Sequence, residues 1–416
     1  MARSVLVYSI VPTHPLSQGN HVRIFRMCEA MRQLGHRVHL LYVPTGRTAP
    51  ADMGAMERYW GDRLHVLELP KPSNGVGRRW RRLRAGVLRR WHNPGQYLRR
   101  VEHKLNWLDE WYLRPIGDEV CRLQDELGCD TVLCEYVFMS KGLTGLPAGV
   151  RRVIDTHDAF GLRAAHIQAA GLVEGMWFSL PQAHEARGLA RADAVIAIEA
   201  GEAEYFRSLG VSSVHTVGHL IDVGAGQPGA GNGSVLFVGS ANYLNAGGVR
   251  WLAEEVVPRV DAMSDEPVRF ELAGGICGEA EASGYSRLVL HGRVEDLSPL
   301  YRDASVVINP VRAGTGLAIK SVEALGWGRP LLTTQSGARG LGSPDGKGFR
   351  VCDDADGFAR ELVDLLGDVS ERERLGAEAK WFAEGYCVEQ LAQLQAALGV
   401  VEGSVMQQTK EDVVGE

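Results

Sequence analysis

The sequence has no CxxC pair, no long apolar run and no large excess of either charge. Its seven cysteines, Cys28, Cys121, Cys129, Cys134, Cys277, Cys352 and Cys387, are odd in number and scattered over 416 residues. Disulfide scaffolds and zinc sites both need close, regular spacing, so these read as reduced, buried thiols. No stretch approaches the roughly 18 apolar residues of a membrane-spanning helix. The opening residues, MARSVLVYSIVPTHP, carry one arginine and too short an apolar stretch for a secretory leader, and read as a first buried strand. A cytoplasmic chain is expected. A net charge of −6 with a pI near 6.1 gives no reason to expect nucleic acid. The Walker A, H-E-x-x-H and G-x-S-x-G motifs are all missing.

What is present is an ordinary globular composition, 45% hydrophobic and 23% charged, in a chain too long for one core. Two domains are therefore expected. Short β-branched runs alternate with amphipathic stretches, the pattern of parallel α/β sheets. Predicted strands of the first half are Val5–Ser9, Val38–Val43, Leu64–Leu69, Thr131–Cys134, Arg152–Asp155 and Ala194–Ile198. A helix over His21–Leu34 follows from Val22, Phe25, Cys28, Met31 and Leu34, and Gly35 ends it.

The stretch GHLIDVGAGQPGAGNGS from Gly218 is rich in glycine and nearly free of apolar residues, so it reads as an unburied linker. A second α/β series follows, with strands at Val235–Val238, Arg269–Ala273, Leu288–His291, Val306–Asn309 and Pro330–Thr333. The expected organisation is a Rossmann-like domain over 1–217, a linker over 218–233 and a second Rossmann-like domain over 234–380. A helix over 381–402 would pack back on the first domain, and 403–416 would be a frayed tail. Two motif-like strings are set aside. Gly224–Gly229 spells G-x-G-x-x-G but contains Pro228 and lacks a bracketing strand and helix, and Asp354 and Asp356 form a D-x-D in a polar turn.

Residues 78–100, RRWRRLRAGVLRRWHNPGQYLRR, hold nine arginines among tryptophans and aliphatics. Such a segment, Arg78–Arg100, either lies on an anionic membrane surface or is a solvated insertion paired with nearby acids. The first reading would make the protein peripheral on the inner face of the plasma membrane.

The most informative stretch is NPVRAGTGLAIKSVEALGWGRPLLTT, Asn309–Thr334. A strand runs into a small-residue loop, and then helical spacing begins. Backbone amides at such a helix start can approach a diphosphate, and the helix dipole favours negative charge there. Arg312 and Lys320 add full positive charges. Lys320 and Glu323 stand three apart on one helix face, which makes the carboxylate available to ribose hydroxyls.

This stretch resembles the donor motif of the family 4 retaining glycosyltransferases, which have the GT-B fold of two facing Rossmann-like domains. SVLFVGSANYLNAGGVRWLAEEVVPRV, HGRVEDLSPLYRDASVVINP, ARADAVIAIEAGEAEYF and SQGNHVRIFRMCEAMRQLGHRVHLL resemble further signatures of that family, in order along the chain. The resemblance implies transfer of a sugar from a nucleotide diphosphate sugar to a glycan, a lipid-linked glycan or another surface acceptor, with retention and with neither metal nor cofactor. It implies that Gly239, Ser240, Arg312, Gly314, Thr315, Gly316, Leu317, Lys320 and Glu323 face the donor. Gly19, Asn20, His157 and Asp158 would lie on the acceptor side, with Asp155 and Asp158 orienting His157. His157, Lys320 and Arg312 would be catalytic.

The chain departs from the family pattern twice. The first of its two motif glutamates is Thr315 here, and Ser240, Asn242 and Asn245 stand where arginine and lysine are usual. A scaffold without turnover, or an epimerase of the same fold, are the alternatives.

Overall fold

The computed structural model describes residues 2–16, 18–48, 50–68, 105–169, 178–223, 231–294, 296–314 and 317–400. The predicted segment Arg78–Arg100, the tail from 403, and Thr315 and Gly316 lie outside them. Among the described residues no helix is long and apolar enough to cross a membrane.

Two wholly parallel sheets organise the chain. The first contains β1 (Ser4–Ser9), β2 (Arg37–Tyr42), β3 (Leu64–Val66), β4 (Thr131–Glu135), β5 (Arg151–Asp155), β6 (Ala194–Ala197) and β7 (Val214–Thr216), in the order β3-β2-β1-β4-β5-β6-β7. The second contains β8 (Ser234–Val238), β9 (Arg269–Ala273), β10 (Leu288–Leu290), β11 (Val306–Asn309), β12 (Leu331–Thr333) and β13 (Phe349–Val351), in the order β10-β9-β8-β11-β12-β13. The central strands are buried along almost their whole length, which is why they read as continuous apolar runs. In each sheet the order reverses beside its first strand, between β1 and β4 and between β8 and β11. Loops leaving the carboxyl ends of such neighbours diverge and open a crevice. Helices pack over both sheets, and this is the two-domain α/β architecture expected from the sequence. Two short strands, β7 and β13, were not foreseen, and β3 stops at Val66 rather than Leu69. Each of these has three residues, as do β10 and β12, which were foreseen.

Helix α1 (Gly19–Gln33) starts two residues earlier than expected, and its buried face is turned from the expected stripe. Ile24, Met27, Cys28 and Met31 are buried, whereas Phe25 packs by a tilted contact against Tyr59 and an edge contact against His14. The most informative buried residue of α1 is polar. Arg23 is 2% exposed, with Nε and Nη2 donating to the two carboxylate oxygens of Asp155 at 2.9 and 2.7 Å. Its remaining donors reach the carbonyls of Gly218 at 2.7 Å and Val217 at 2.9 Å.

Those bonds correct the expectation of an unburied linker from Gly218. Gly218, His219 and Leu220 are buried, and the Gly218 N–H donates to Gln390 Oε1 at 2.7 Å. A Cβ on Gly218 would stand 1.9 Å from the Tyr386 hydroxyl, so only glycine fits. Polar partners on α1 and the last helix hold Gly218, while Leu220 joins the first domain's core. Residues 224–230 of the expected linker lie outside the described residues. The last helix, α2 (Val369–Ala397), is continuous through residue 381 and packs on β6 and β7 of the first sheet as well as on the second domain. Ile198 of the first domain shares a core cluster with Leu317, Leu325 and Phe349 of the second.

Removing one member of a buried ion pair strands the other, so Arg23→Met should destabilise the fold by about 3–5 kcal/mol. Arg23→Met with Asp155→Asn should recover part of that loss. Urea unfolding measures both, and a single-variant loss under about 1 kcal/mol would show that water reaches Asp155.

Candidate functional site

The carboxyl ends of the two sheets are joined by a cleft with a cavity of about 350 Å³. One wall is the start of α1, with Gly19 and Val22. The other comes from the loops after β8 and β9 and from helix α3 (Ile319–Gly326). The walls meet where Gly19, given a Cβ, would touch Ile319 Cδ1 at 3.2 Å.

The floor is bare backbone. Gly274 has φ +98°, and a Cβ there would fall 2.4 Å from the Gly239 carbonyl oxygen; one on Gly275 would fall 2.9 Å from the Ala241 nitrogen. Glycine is required at these crossings and leaves the main chain open to a ligand. Ser240, Asn242 and Asn245 line the same cavity. Asn242 caps the next helix by accepting from the Asn245 N–H at 2.9 Å, and the Asn245 amide donates to the Ser240 carbonyl at 2.9 Å.

That leaves the Asn245 amide oxygen to accept from Lys320 Nζ, which also lies 5.1 Å from the Phe237 ring centroid. Loss of solvation pushes the Lys320 ammonium down to about 8, against the opposing pull of Glu323. Glu323 lines the cavity one turn away. Its Oε2 accepts from the Tyr301 hydroxyl at 3.5 Å, and its Oε1 lies 3.5 Å from His219 Nε2. The sequence reading missed His219 and Tyr301. His219 belongs to the glycine-rich segment and Tyr301 to a packing helix, and neither contexts nor spacing marks them.

Gly19, Gly239, Ser240, Lys320 and Glu323 thus converge, but other expected donor residues do not. Arg312 is exposed, with its guanidinium 5.3 Å from the Trp251 ring centroid, outside the cavity lining. Stacking on an aromatic face is favourable for a guanidinium. Leu317 is 8% exposed and belongs to the interdomain core, because the cleft helix needs an apolar anchor there. Gly314 sits beside Leu244.

His157 lies deeper in the first domain. Its ring stacks on Tyr136 at 4.1 Å and 15°, and both residues have left-handed backbones, φ +62° and +73°. Its Nε2 is 2.5 Å from Glu135 Oε2 and 3.5 Å from Asp155 Oδ2. The Asp158 carboxylate pairs with Arg163 at 3.1 Å. The Tyr136 hydroxyl accepts from Asn20 at 3.2 Å, which connects this group to the cleft edge at Gly19. Burial pushes the Glu135 carboxyl up, while its bond to His157 pulls the other way.

Among the described residues, Glu135, Asp155 and His157 form one group whose ligand atoms are close enough for a metal ion. The fit is poor. Both Asp155 oxygens already accept from Arg23, and a guanidinium at that distance repels a second cation.

Residues 232–368 match the family model of glycosyl transferases group 1. No curated protein sequence matches the chain. Among solved structures, the sucrose-phosphate synthase of Thermosynechococcus elongatus is 15% identical, with 99% of each chain covered and a TM-score of 0.63. TarM is 10% identical, with 96% of this chain and 99% of that one covered and a TM-score of 0.65. HepE of Anabaena in complex with UDP is 14% identical, with 96% and 100% covered and a TM-score of 0.61. The fold is therefore GT-B, and residues 232–368 of the C-terminal domain are similar to the glycosyl transferases group 1.

A polyanion in this cleft would be held by the charged form of Lys320, which exists below a pKa of about 8. Affinity for a nucleoside diphosphate should fall roughly 10–100-fold as the pH rises through that value, and Lys320→Met should abolish the dependence. Calorimetric titration over pH checks this. An equal slope in the variant would assign the charge elsewhere.

Proposed function

We propose, taking the C-terminal domain as that of a group 1 glycosyltransferase, that the cleft binds a nucleotide diphosphate sugar and transfers its sugar with retention. The acceptor would be a glycan or lipid-linked glycan on the first domain's wall. The observation that carries this reading is the pairing of a desolvated ammonium, Lys320, with a carboxylate one helical turn on, Glu323, above a floor of exposed glycine backbone.

Each part suits one piece of such a donor. The open backbone at Gly239, Gly274 and Gly275 lets a bulky diphosphate come close. Lys320, aimed by Asn245, faces it with a full charge. Negative charge grows on the diphosphate as the sugar leaves, and a cation already fixed and partly dehydrated stabilises that change without reorganising. In water the same ammonium would be screened and worth far less. Glu323, held from behind by Tyr301, is placed to accept from a vicinal diol, which suits the ribose. The geometry favours Lys320 over Arg312 as the principal phosphate cation, because Arg312 rests on Trp251.

No carboxylate pair of the kind used by hydrolases is needed, since the charge is handled at the leaving group rather than by a protein nucleophile. Lys320 supplies locally the positive charge that a divalent cation supplies in metal-dependent transferases, so a metal-free transfer is the reading we favour. His157 and Asn20 would lie on the acceptor side, and the basic segment Arg78–Arg100 would meet an anionic surface carrying a lipid-linked acceptor.

Glu323→Ala should weaken UDP or GDP binding by roughly 10–100-fold, with the thermal midpoint moved by only a few degrees. A panel of labelled nucleotide sugars, scored by donor loss, identifies the substrate. If the wild-type protein binds no nucleoside diphosphate and consumes no donor, this function is wrong.

A further inference from the structure

Glu135 closes β4 with its side chain fully buried, and the sequence reading gave it no task. Its Oε2 stands 2.5 Å from His157 Nε2, while its Oε1 has no hydrogen-bond partner. Arg23 does not serve it, because that guanidinium is spent on both Asp155 oxygens and on the carbonyls of Val217 and Gly218. A buried carboxylate without a donor is costly, and His157 is the donor at hand.

The consequence is a fixed tautomer. With the proton on Nε2 and directed at Glu135, the neutral ring presents Nδ1 as a hydrogen-bond acceptor. Stacking on Tyr136 fixes the plane of the ring, and the left-handed backbone at His157 fixes where it leaves the chain. Such strain is held at a non-glycine residue only where the surroundings over-determine it. We propose that Glu135 is the positioning residue for His157, holding it so that Nδ1 accepts a hydroxyl from the transferred sugar or from the acceptor. This rests on the glycosyl-transfer reading given above. The ligand chemistry follows from the lone pair: a hydroxyl can donate to it, whereas a phosphate oxygen would be repelled.

Nitrogen-15 histidine spectra of the wild-type protein provide a readout that needs no substrate. They should show His157 protonated on Nε2 and bare on Nδ1, and the reverse tautomer would overturn the proposal. Glu135→Leu removes the acceptor and should lower kcat on the order of 10–100-fold, while Glu135→Gln, whose amide oxygen can still accept, should lose less. Nucleoside diphosphate affinity should stay at the wild-type value in both. Loss of donor hydrolysis and of transfer together identifies the sugar hydroxyl, and loss of transfer alone identifies the acceptor hydroxyl. Unchanged kcat for both reactions in Glu135→Leu would refute the role. A wild-type protein that binds no nucleotide would instead sink the function proposed above and leave the tautomer result standing.

Discussion

The ion pair between Arg23 and Asp155 is the interaction on which the geometry of the cleft depends. A guanidinium this deeply buried would be prohibitive alone, and its cost is offset only because every face of it is used. Asp155 accepts from two nitrogens, and the Val217 and Gly218 carbonyls accept from the rest. Through those bonds α1, the end of β5 and the start of the interdomain segment become one unit. The same α1 presents Gly19 to the cleft, and the same β5 leads into His157. A shift of Arg23 would therefore move Gly19 and His157 together.

The second domain makes the opposite electrostatic choice. The carboxylate nearest Lys320 in the structure, Glu323, is already engaged with Tyr301, so the ammonium rests on a neutral amide and an aromatic face. That arrangement costs stability. Its folded-state pKa lies below the ordinary lysine value, so between about 8 and that value the unfolded chain binds more protons, and stability rises with pH across the window. Below about 8 the full cost of the charged form remains. On the function proposed above, an anionic ligand would offset that cost by restoring the solvation that burial took away.

The legible part of the molecule was the part written in periodicity and in local motif. Long buried strands such as β4 and β11 announced themselves as apolar runs. Lys320 and Glu323 could be placed on one face because three-residue spacing on a helix has a single geometric outcome. The short strands β7 and β13 stayed hidden, although β10 and β12, equally short, were foreseen. The burial of Gly218 was illegible for a different reason, since hydrogen bonds from residues nearly 200 positions away anchor it. The contact of Arg312 with Trp251 was not legible, because only the fold brings that ring within reach. Glu135 gave a signal that could have been used: a lone acid ending the apolar run TVLC can be tolerated only with a partner.

The two domains together impose a direction on the cleft. On the first-domain side the buried charges are engaged internally: Arg23 with Asp155, and Glu135 with His157. With His157 neutral, that group keeps one net negative charge, which disfavours an anion there and leaves hydrogen-bonding capacity suited to a polyhydroxyl surface. On the second-domain side a cation is held with its nearest carboxylate engaged elsewhere, beside unobstructed backbone. An unsymmetrical molecule, anionic at one end and rich in hydroxyls at the other, would settle across the cleft in one orientation only. On the function proposed above, its anionic end would go to Lys320 and its hydroxyls toward the first domain. That polarity is set by where each domain satisfies its own charges, so it is a property of the fold before any substrate arrives.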